Sequence, residues 1–186
     1  SSEFYRSWRD HLPADIDLVI MQYPNPSASG VDVNWNEPHA AIQRCIRGLA
    51  SLLGIAPITL FGHSMGALLA MHIAASLKLS RFRVAELILS SQMAPTSLQA
   101  ILQTEQDIDH LTEQAIALGE VFELSHYTGT VQTVVASAIH QDLALLQKLA
   151  RLSISQLPVT RIFGGDSDPL IDREQLSEWS ELLPKN

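Results

Sequence analysis

The chain is poor in the residues that several protein classes need. Cys45 is the only cysteine, so no disulfide can form within the chain. Lys and Arg number 12 against 20 Asp and Glu, giving a net charge of −8, which argues against nucleic acid or an anionic membrane surface as the partner. The longest apolar run, residues 66–75, is too short to span a bilayer, and no secretory signal is visible. We therefore expect a cytoplasmic protein with no membrane span.

Metal-ligand spacings such as His-Glu-x-x-His are also missing, as is a phosphate-binding loop. We therefore expect no metal and no cofactor. Hydrophobic residues make up 46% of the chain, enough for a sizeable core. No repeat, linker or low-complexity segment divides it, so residues 1–186 are expected to form one domain.

The most informative stretch, residues 58–70, places Gly-His-Ser-Met-Gly between an apolar β-prone run and an Ala- and Leu-rich helical run. This arrangement resembles the nucleophile elbow of α/β-hydrolases, with Ser64 as the nucleophile at positive φ. Gly62 and Gly66 would remove side chains that collide in so sharp a turn. The backbone N–H of Met65 would donate to an oxyanion. The alternative is a Gly-rich turn with an incidental serine.

The remaining patterns predict the fold around this elbow. Strands are expected at 16–23, 57–61, 85–90 and 159–163, alternating with helices that include 37–53 and 65–78. Alternation of this kind indicates a mostly parallel, doubly wound sheet, the α/β-hydrolase class. Residues 96–152 carry helical patterns without a clear buried strand, so we expect them to form a helical lid insertion. Asp172 is a candidate N-cap for a last helix.

The second catalytic candidate follows the last predicted strand. A serine nucleophile needs a base, and that base needs an orienting carboxylate, in the chain order Ser, Asp, His in this fold. Asp168 is favoured as the acid, and Asp166 is the rival. The alternative for either residue is a purely structural role as a turn-forming Asp before Pro169.

No histidine can be assigned as the catalytic base in this chain order, because every histidine precedes Asp168. His63 adjoins Ser64, but neighbouring side chains diverge at an elbow, so it is expected to pack beside the site. His72 is expected in the core or an interface, and the three histidines of the predicted lid at the surface or in packing. The seven are His11, His39, His63, His72, His110, His126 and His140.

Several segments together resemble the type II thioesterases of nonribosomal peptide and polyketide synthesis. They are Phe-Tyr-Arg-Ser-Trp (4–8), Leu-Phe-Gly-His-Ser-Met-Gly-Ala (60–67), Met-Ala-Pro (93–95), Asp-Leu-Ala-Leu-Leu (142–146) and Phe-Gly-Gly-Asp-Ser-Asp-Pro (163–169) with Trp179. The resemblance implies hydrolysis of acyl groups from the phosphopantetheine arm of an acyl or peptidyl carrier protein, through an acyl-enzyme at Ser64. Two departures concern specificity: Tyr-Pro-Asn-Pro-Ser at 23–27 lacks the family's Pro-Gly-Arg pattern, and Gln92 stands where Arg is common.

The resemblance also implies a Gly-rich oxyanion loop before Ser1 and a Gly-His segment after Asn186. We therefore expect a chain truncated at both ends, and residues 1–186 alone to be nearly inactive. Two alternatives stay open. One is a small-ester esterase or acyltransferase with the same elbow, and the other is a catalytically dead binding module that keeps the pocket but not the triad.

Overall fold

The described residues form a parallel sheet of three strands at the centre of the structure. The structure is a computed structural model, and it describes residues 2–23, 35–54, 56–80, 82–121, 129–154 and 156–183. The strands are β1 (Ile58–His63), β2 (Val84–Ser90) and β3 (Thr160–Phe163), in the order β1-β2-β3. Gly62 pairs with Leu89, and Leu89 pairs with Ile162, so all three strands end at one edge.

Helices surround this sheet and fill the intervals between its strands. They are α1 (Pro38–Leu49), α2 (Met65–Leu79), α3 (Pro95–Ile101), α4 (Glu105–Val121), α5 (Gly129–Ala150) and α6 (Arg173–Ser177). A 3-10 helix (Ser2–His11) precedes them and a 3-10 turn (Glu178–Glu181) follows them. The predicted α/β class and parallel sheet are confirmed. In the described part of the chain, no helix has both the length and the apolar character needed to cross a membrane.

Helix α2 is the centre of the core. It packs against β1 and β2 on one side and against α1 and α5 on the other, and both its apolar faces are therefore buried. Leu87 and Leu89 of β2 meet it from the sheet and are almost fully buried. The Ala and Leu composition suits this place, since small and unbranched side chains allow neighbouring elements to approach.

The segment at 16–23 is not a strand, contrary to the prediction. It makes no sheet ladder with any described residue, and Ile16 and Val19 are 51% and 54% exposed. A strand forms only where a neighbour accepts its backbone hydrogen bonds, which an apolar run alone does not supply. Helix α1 is also shorter than predicted, because the chain turns after Leu49 and reaches a positive φ of 85° at Gly54.

Other predictions concern the helices. Residues 96–152 contain most of α3 and all of α4 and α5, and no strand among their described residues, which agrees with the helical patterns. Asp172 caps α6 as expected: its Oδ1 accepts from the Gln175 N–H at 2.8 Å, while the Gln175 side chain accepts from the Asp172 N–H at 3.0 Å. The loop at 24–27, His126 and the middle of the predicted lid, 122–128, lie outside the described residues.

Candidate active site

The backbone at Ser64 has the conformation expected of a nucleophile elbow. Its φ is 53° and its ψ is −131°, between the end of β1 and the start of α2. A non-glycine residue at positive φ is uncommon and costs about 1–3 kcal/mol, so surrounding structure must hold it there. The side chain of Ser64 is exposed. This conformation lifts the hydroxyl away from the sheet, where a substrate can reach it.

The two glycines of the motif make this turn possible. A Cβ on Gly62 would lie 2.2 Å from the Gly66 carbonyl oxygen and 2.6 Å from the Ala67 Cα, and both of those atoms are backbone. A Cβ on Gly66 would lie 3.3 Å from the Tyr23 hydroxyl. Gly62 therefore permits the close crossing of β1 and α2, and Gly66 leaves room for a side chain beside the nucleophile.

The elbow is tied to the neighbouring strand. The Ser64 N–H donates to the Ser90 carbonyl at 3.0 Å, and the Ser90 Oγ lies 3.2 Å from Nδ1 of His63. Ser91, the next residue, is the other described non-glycine residue at positive φ, at 45°. The neighbouring strands β1 and β2 are thus each followed by a residue with a strained backbone. Strained residues of this kind cluster at functional sites.

Met65 is the first residue of α2 and is buried. The first N–H groups of a helix have no intrahelical carbonyl partner and carry the positive end of the helix dipole. The Met65 N–H is therefore suited to stabilise an oxyanion formed at Ser64, as predicted from the motif. That role itself stays a prediction.

The loop that carries Asp166 and Asp168 follows β3, two strands from the elbow and at the same edge of the sheet. Oδ1 of Asp168 accepts from the backbone N–H groups of Leu170 at 3.0 Å and Ile171 at 3.3 Å. Asp166 instead projects into solvent, 93% exposed, with Arg173 at 3.4 Å. Asp168 is thus the carboxylate fixed by the loop, and Asp166 the one in a solvated ion pair.

Four of the described histidines have partners other than Ser64: His63, His72, His110 and His140. None makes a hydrogen bond with Ser64 in the part of the chain that the structure describes. Nε2 of His72 lies 3.0 Å from the Leu149 carbonyl in the core, and burial lowers its pKa. His140 pairs with Glu105 and Asp109, and His110 with Gln114. Their surface and core positions match the predictions.

Side chains from distant parts of the sequence pack near β1 and the start of α2. Tyr23 packs on Trp35 with ring centres 5.1 Å apart, and burial raises its pKa. Cys45 is a buried free thiol whose pKa burial raises to about 11, which suits a core residue. Tyr5 and Trp8 of the first 3-10 helix pack on Phe61 at 5.9 and 4.8 Å.

Sequence reasoning missed one of these neighbours. Tyr23 entered only as the end of a predicted strand, and no local signal placed its hydroxyl beside Gly66. No group of three metal-binding side chains occurs among the described residues.

The chain matches the family described as thioesterase domain over residues 1–186, its whole length. It belongs to the thioesterase domain family. The gramicidin S biosynthesis protein GrsT of Aneurinibacillus migulanus is 25% identical over 193 residues, which cover 97% of this chain and 71% of that protein.

Solved structures of thioesterases share the fold. RedJ, the thioesterase of the prodiginine pathway in Streptomyces coelicolor, superposes with a TM-score of 0.76 at 20% identity, over 98% of this chain and 73% of that one. The type II thioesterase BorB of the borrelidin cluster gives a TM-score of 0.73 at 20% identity, over 98% and 75%. The α/β-hydrolase fold of this thioesterase-family chain is therefore shown.

Proposed function

We propose that this protein is a serine thioesterase that hydrolyses acyl groups from the phosphopantetheine arm of acyl or peptidyl carrier proteins. The observation that carries the proposal is the strained, exposed Ser64 between β1 and α2. Membership of the thioesterase domain family supports thioester hydrolysis. GrsT is a gramicidin S biosynthesis protein and BorB is a type II thioesterase. The similarity to these two proteins supports carrier-bound substrates.

In the proposed reaction, Ser64 Oγ attacks the thioester carbonyl and gives its proton to a histidine base. The Met65 N–H donates to the oxyanion that forms. The phosphopantetheine sulfur leaves as a thiol after taking the proton from the base, and water then hydrolyses the acyl-enzyme by the same steps. Asp168 orients the base, because its loop already fixes the carboxylate. The base itself is not among the described hydrogen-bond partners of Ser64.

We also propose that residues 96–152 act as a lid over the acyl site. The span lies between β2 and β3, and most of its described residues belong to α3, α4 and α5. Its helix α5 packs along α2, the helix that begins at the nucleophile. A lid attached to this helix would bring a wall of side chains over Ser64 without disturbing the sheet.

The test compares substrates on the protein produced from its native gene. Release of an acyl group from a carrier protein is expected at a kcat/KM well above that for a p-nitrophenyl ester of the same acyl group. Ser64→Ala should abolish both reactions, whereas Ser80→Ala, at the exposed end of α2, should leave both unchanged. A preference for the free ester would favour an esterase. Carrier-protein binding without hydrolysis would favour a binding module.

A further inference from the structure

The end of β2 is hydrogen-bonded to the ends of both neighbouring strands. The Ser90 carbonyl accepts from the Ser64 N–H at 3.0 Å, and the next residue, Ser91, donates its N–H to the Phe163 carbonyl at 2.8 Å. Phe163 is the last residue of β3 and comes directly before the loop that carries Asp168. Two successive residues of one segment therefore bind the nucleophile and the start of the loop with the candidate acid.

The residue that follows, Gln92, is bound by a side chain. Its carbonyl accepts from Nε1 of Trp179 at 2.7 Å, and both residues are buried. Trp179 is 0% exposed, and a buried indole N–H needs a partner within the protein. Of the three hydrogen bonds made by residues 90–92, this is the one that a substitution can remove, since the other two join backbone atoms.

Trp179 lies one short helix beyond the loop that carries Asp168. Oδ1 of Asp168 accepts from the N–H groups of Leu170 and Ile171, and the next residue, Asp172, caps α6. Helix α6 then leads directly into the 3-10 turn that contains Trp179. A short, hydrogen-bonded stretch of chain therefore connects the candidate acid to the buried indole.

Two further contacts hold this stretch of chain in place. A Cβ on Gly164, the first residue after β3, would collide with Cδ1 of Leu176, so α6 folds back onto the start of the loop. Oγ of Ser97 in α3 donates to Oε2 of Glu178, the residue before Trp179. The loop is thus held at its start by β3 and at its far end by the 3-10 turn.

The position of Asp168 relative to Ser64 decides whether a histidine base can act. In the reaction proposed above, one histidine ring must reach both the serine hydroxyl and the carboxylate. Strand β2 separates β1 from β3, so the ends of these two strands lie about two strand spacings, roughly 10 Å, apart. Misplacement of a reacting group by about 1 Å can cost on the order of 10² in rate. A residue that fixes the loop on the end of β2 therefore affects the rate without touching the substrate.

We propose that Trp179 is a positioning residue, whose hydrogen bond to the Gln92 carbonyl fixes the loop of Asp168 relative to Ser64. The proposal rests on the proposed thioesterase function, with Asp168 as the acid, and adds to it a residue that acts through that acid. No contact with the substrate and no covalent step is assigned to Trp179.

The first experiment measures hydrolysis of an acyl carrier-protein thioester by the native gene product. Trp179→Phe keeps an aromatic ring in the core and removes the N–H donor. It should lower kcat by about tenfold to a hundredfold, as expected for a misplaced catalytic group, and should change KM little, because the substrate contacts are kept. A raised KM with an unchanged kcat would overturn the proposal.

The matched control for this variant is Ile42→Ala in α1. It trims a buried side chain and should lower the melting temperature without lowering kcat. An equal fall of kcat in Ile42→Ala would assign the effect of Trp179→Phe to lost stability and would also overturn the proposal.

A double-mutant cycle tests whether Trp179 acts through Asp168. Asp168→Asn already lacks the carboxylate that Trp179 is proposed to position, so adding Trp179→Phe to it should lower kcat little further. If the two losses multiply instead, Trp179 acts independently of Asp168 and the proposal fails.

A third measurement is independent of turnover. Amide hydrogen exchange at Leu170 and Ile171, whose N–H groups donate to Asp168, should be faster in Trp179→Phe than in the wild type. Exchange in β1 should be the same in both proteins. Unchanged exchange at Leu170 and Ile171 overturns the proposal.

A second variant covers the case in which Trp179→Phe does not fold. Ser97→Ala removes the other side-chain hydrogen bond to the 3-10 turn and leaves the indole in the core, so it should also speed exchange at Leu170 and Ile171. No change there would again overturn the proposal. If the wild type hydrolyses no thioester, the thioesterase function fails, and the exchange rates still decide whether Trp179 holds the loop.

Discussion

The Ser64 N–H donates a 3.0 Å hydrogen bond to the carbonyl of Ser90, joining the nucleophile to the end of the neighbouring strand. The bond is one of the contacts that hold Ser64 at its φ of 53°. Ser90 also places its Oγ 3.2 Å from Nδ1 of His63, so one residue of β2 fixes the backbone of the nucleophile and the side chain before it. The geometry of the site therefore depends on the pairing of β1 with β2.

Gly62→Ala should damage the elbow. The new Cβ would lie 2.2 Å from the Gly66 carbonyl oxygen, and a backbone atom cannot turn aside as a flexible side chain can. Overpacking of this kind costs about 1–3 kcal/mol or more, so we expect a lower urea midpoint and loss of reactivity at Ser64. Gly48→Ala is the matched control, since nothing lies within 4 Å of its Cβ position in α1. The control should gain up to about 1 kcal/mol from helix propensity. Equal stability of the two variants would contradict the steric explanation.

Asp168→Asn should lower the rate of acyl transfer by about 10³–10⁴, because a histidine base loses its orienting carboxylate. Asparagine keeps an oxygen that can accept from the N–H groups of Leu170 and Ile171, so the loop should persist. Asp166→Asn removes a solvent-exposed charge and should cost much less. Steady-state kinetics of both variants make the comparison. The reverse order of effects would make Asp166 the acid.

The buried His72 should give the folding free energy a pH dependence. Burial lowers its pKa in the folded state, so the unfolded chain binds the proton first as pH falls. The contribution of neutral His72 to the free energy of unfolding is therefore fully present above about pH 6.5. Below that pH it declines, by up to about 1.4 kcal/mol per pH unit. The pKa of Asp142 is raised to about 6, which contributes with the opposite sign.

Comparing wild type with His72→Gln cancels the contribution of Asp142. The difference in unfolding free energy between the two proteins, from urea titrations, should shrink as the pH is lowered from about 7 to about 5. A difference that stays constant over this range would show that His72 does not titrate on unfolding.

Amide hydrogen exchange should proceed at different rates in different parts of the proposed lid, residues 96–152. Local exchange follows local opening, which is easiest where few apolar groups are buried. The exposed face of α4 should therefore exchange faster than β1 and β2. The end of α5, where Leu145 and Leu149 are almost fully buried, should exchange as slowly as α2. Slow exchange throughout 96–152 would instead make the whole span part of the rigid core.

Much of the fold follows from local rules. The elbow needs Gly62 and Gly66 for steric reasons that a five-residue pattern contains, and the strands that meet α2 are short apolar runs. The capping of α6 by Asp172 is equally local, since donor and acceptor are three residues apart. Such features can be predicted because the residues that cause them are close together in the sequence.

The errors arise where the cause lies elsewhere in the chain. Residues 16–23 have the composition of a strand, but strand formation needs a partner that they do not find among the described residues. The packing of α5 against α2 depends on contacts between residues far apart in the sequence, such as His72 with the Leu149 carbonyl. A helical pattern predicts the buried face of α5 but not the element that it faces.

The most direct test of the account is to trap the acyl-enzyme at Ser64. The native gene product is mixed with a fluorophosphonate or an acyl carrier-protein thioester, quenched in acid and examined by intact-protein and peptide mass spectrometry. We predict one adduct, located on Ser64 and absent from Ser64→Ala, while the melting temperature of that variant is nearly unchanged. An adduct of the same yield in Ser64→Ala, or one located on another residue of the wild type, would contradict the account.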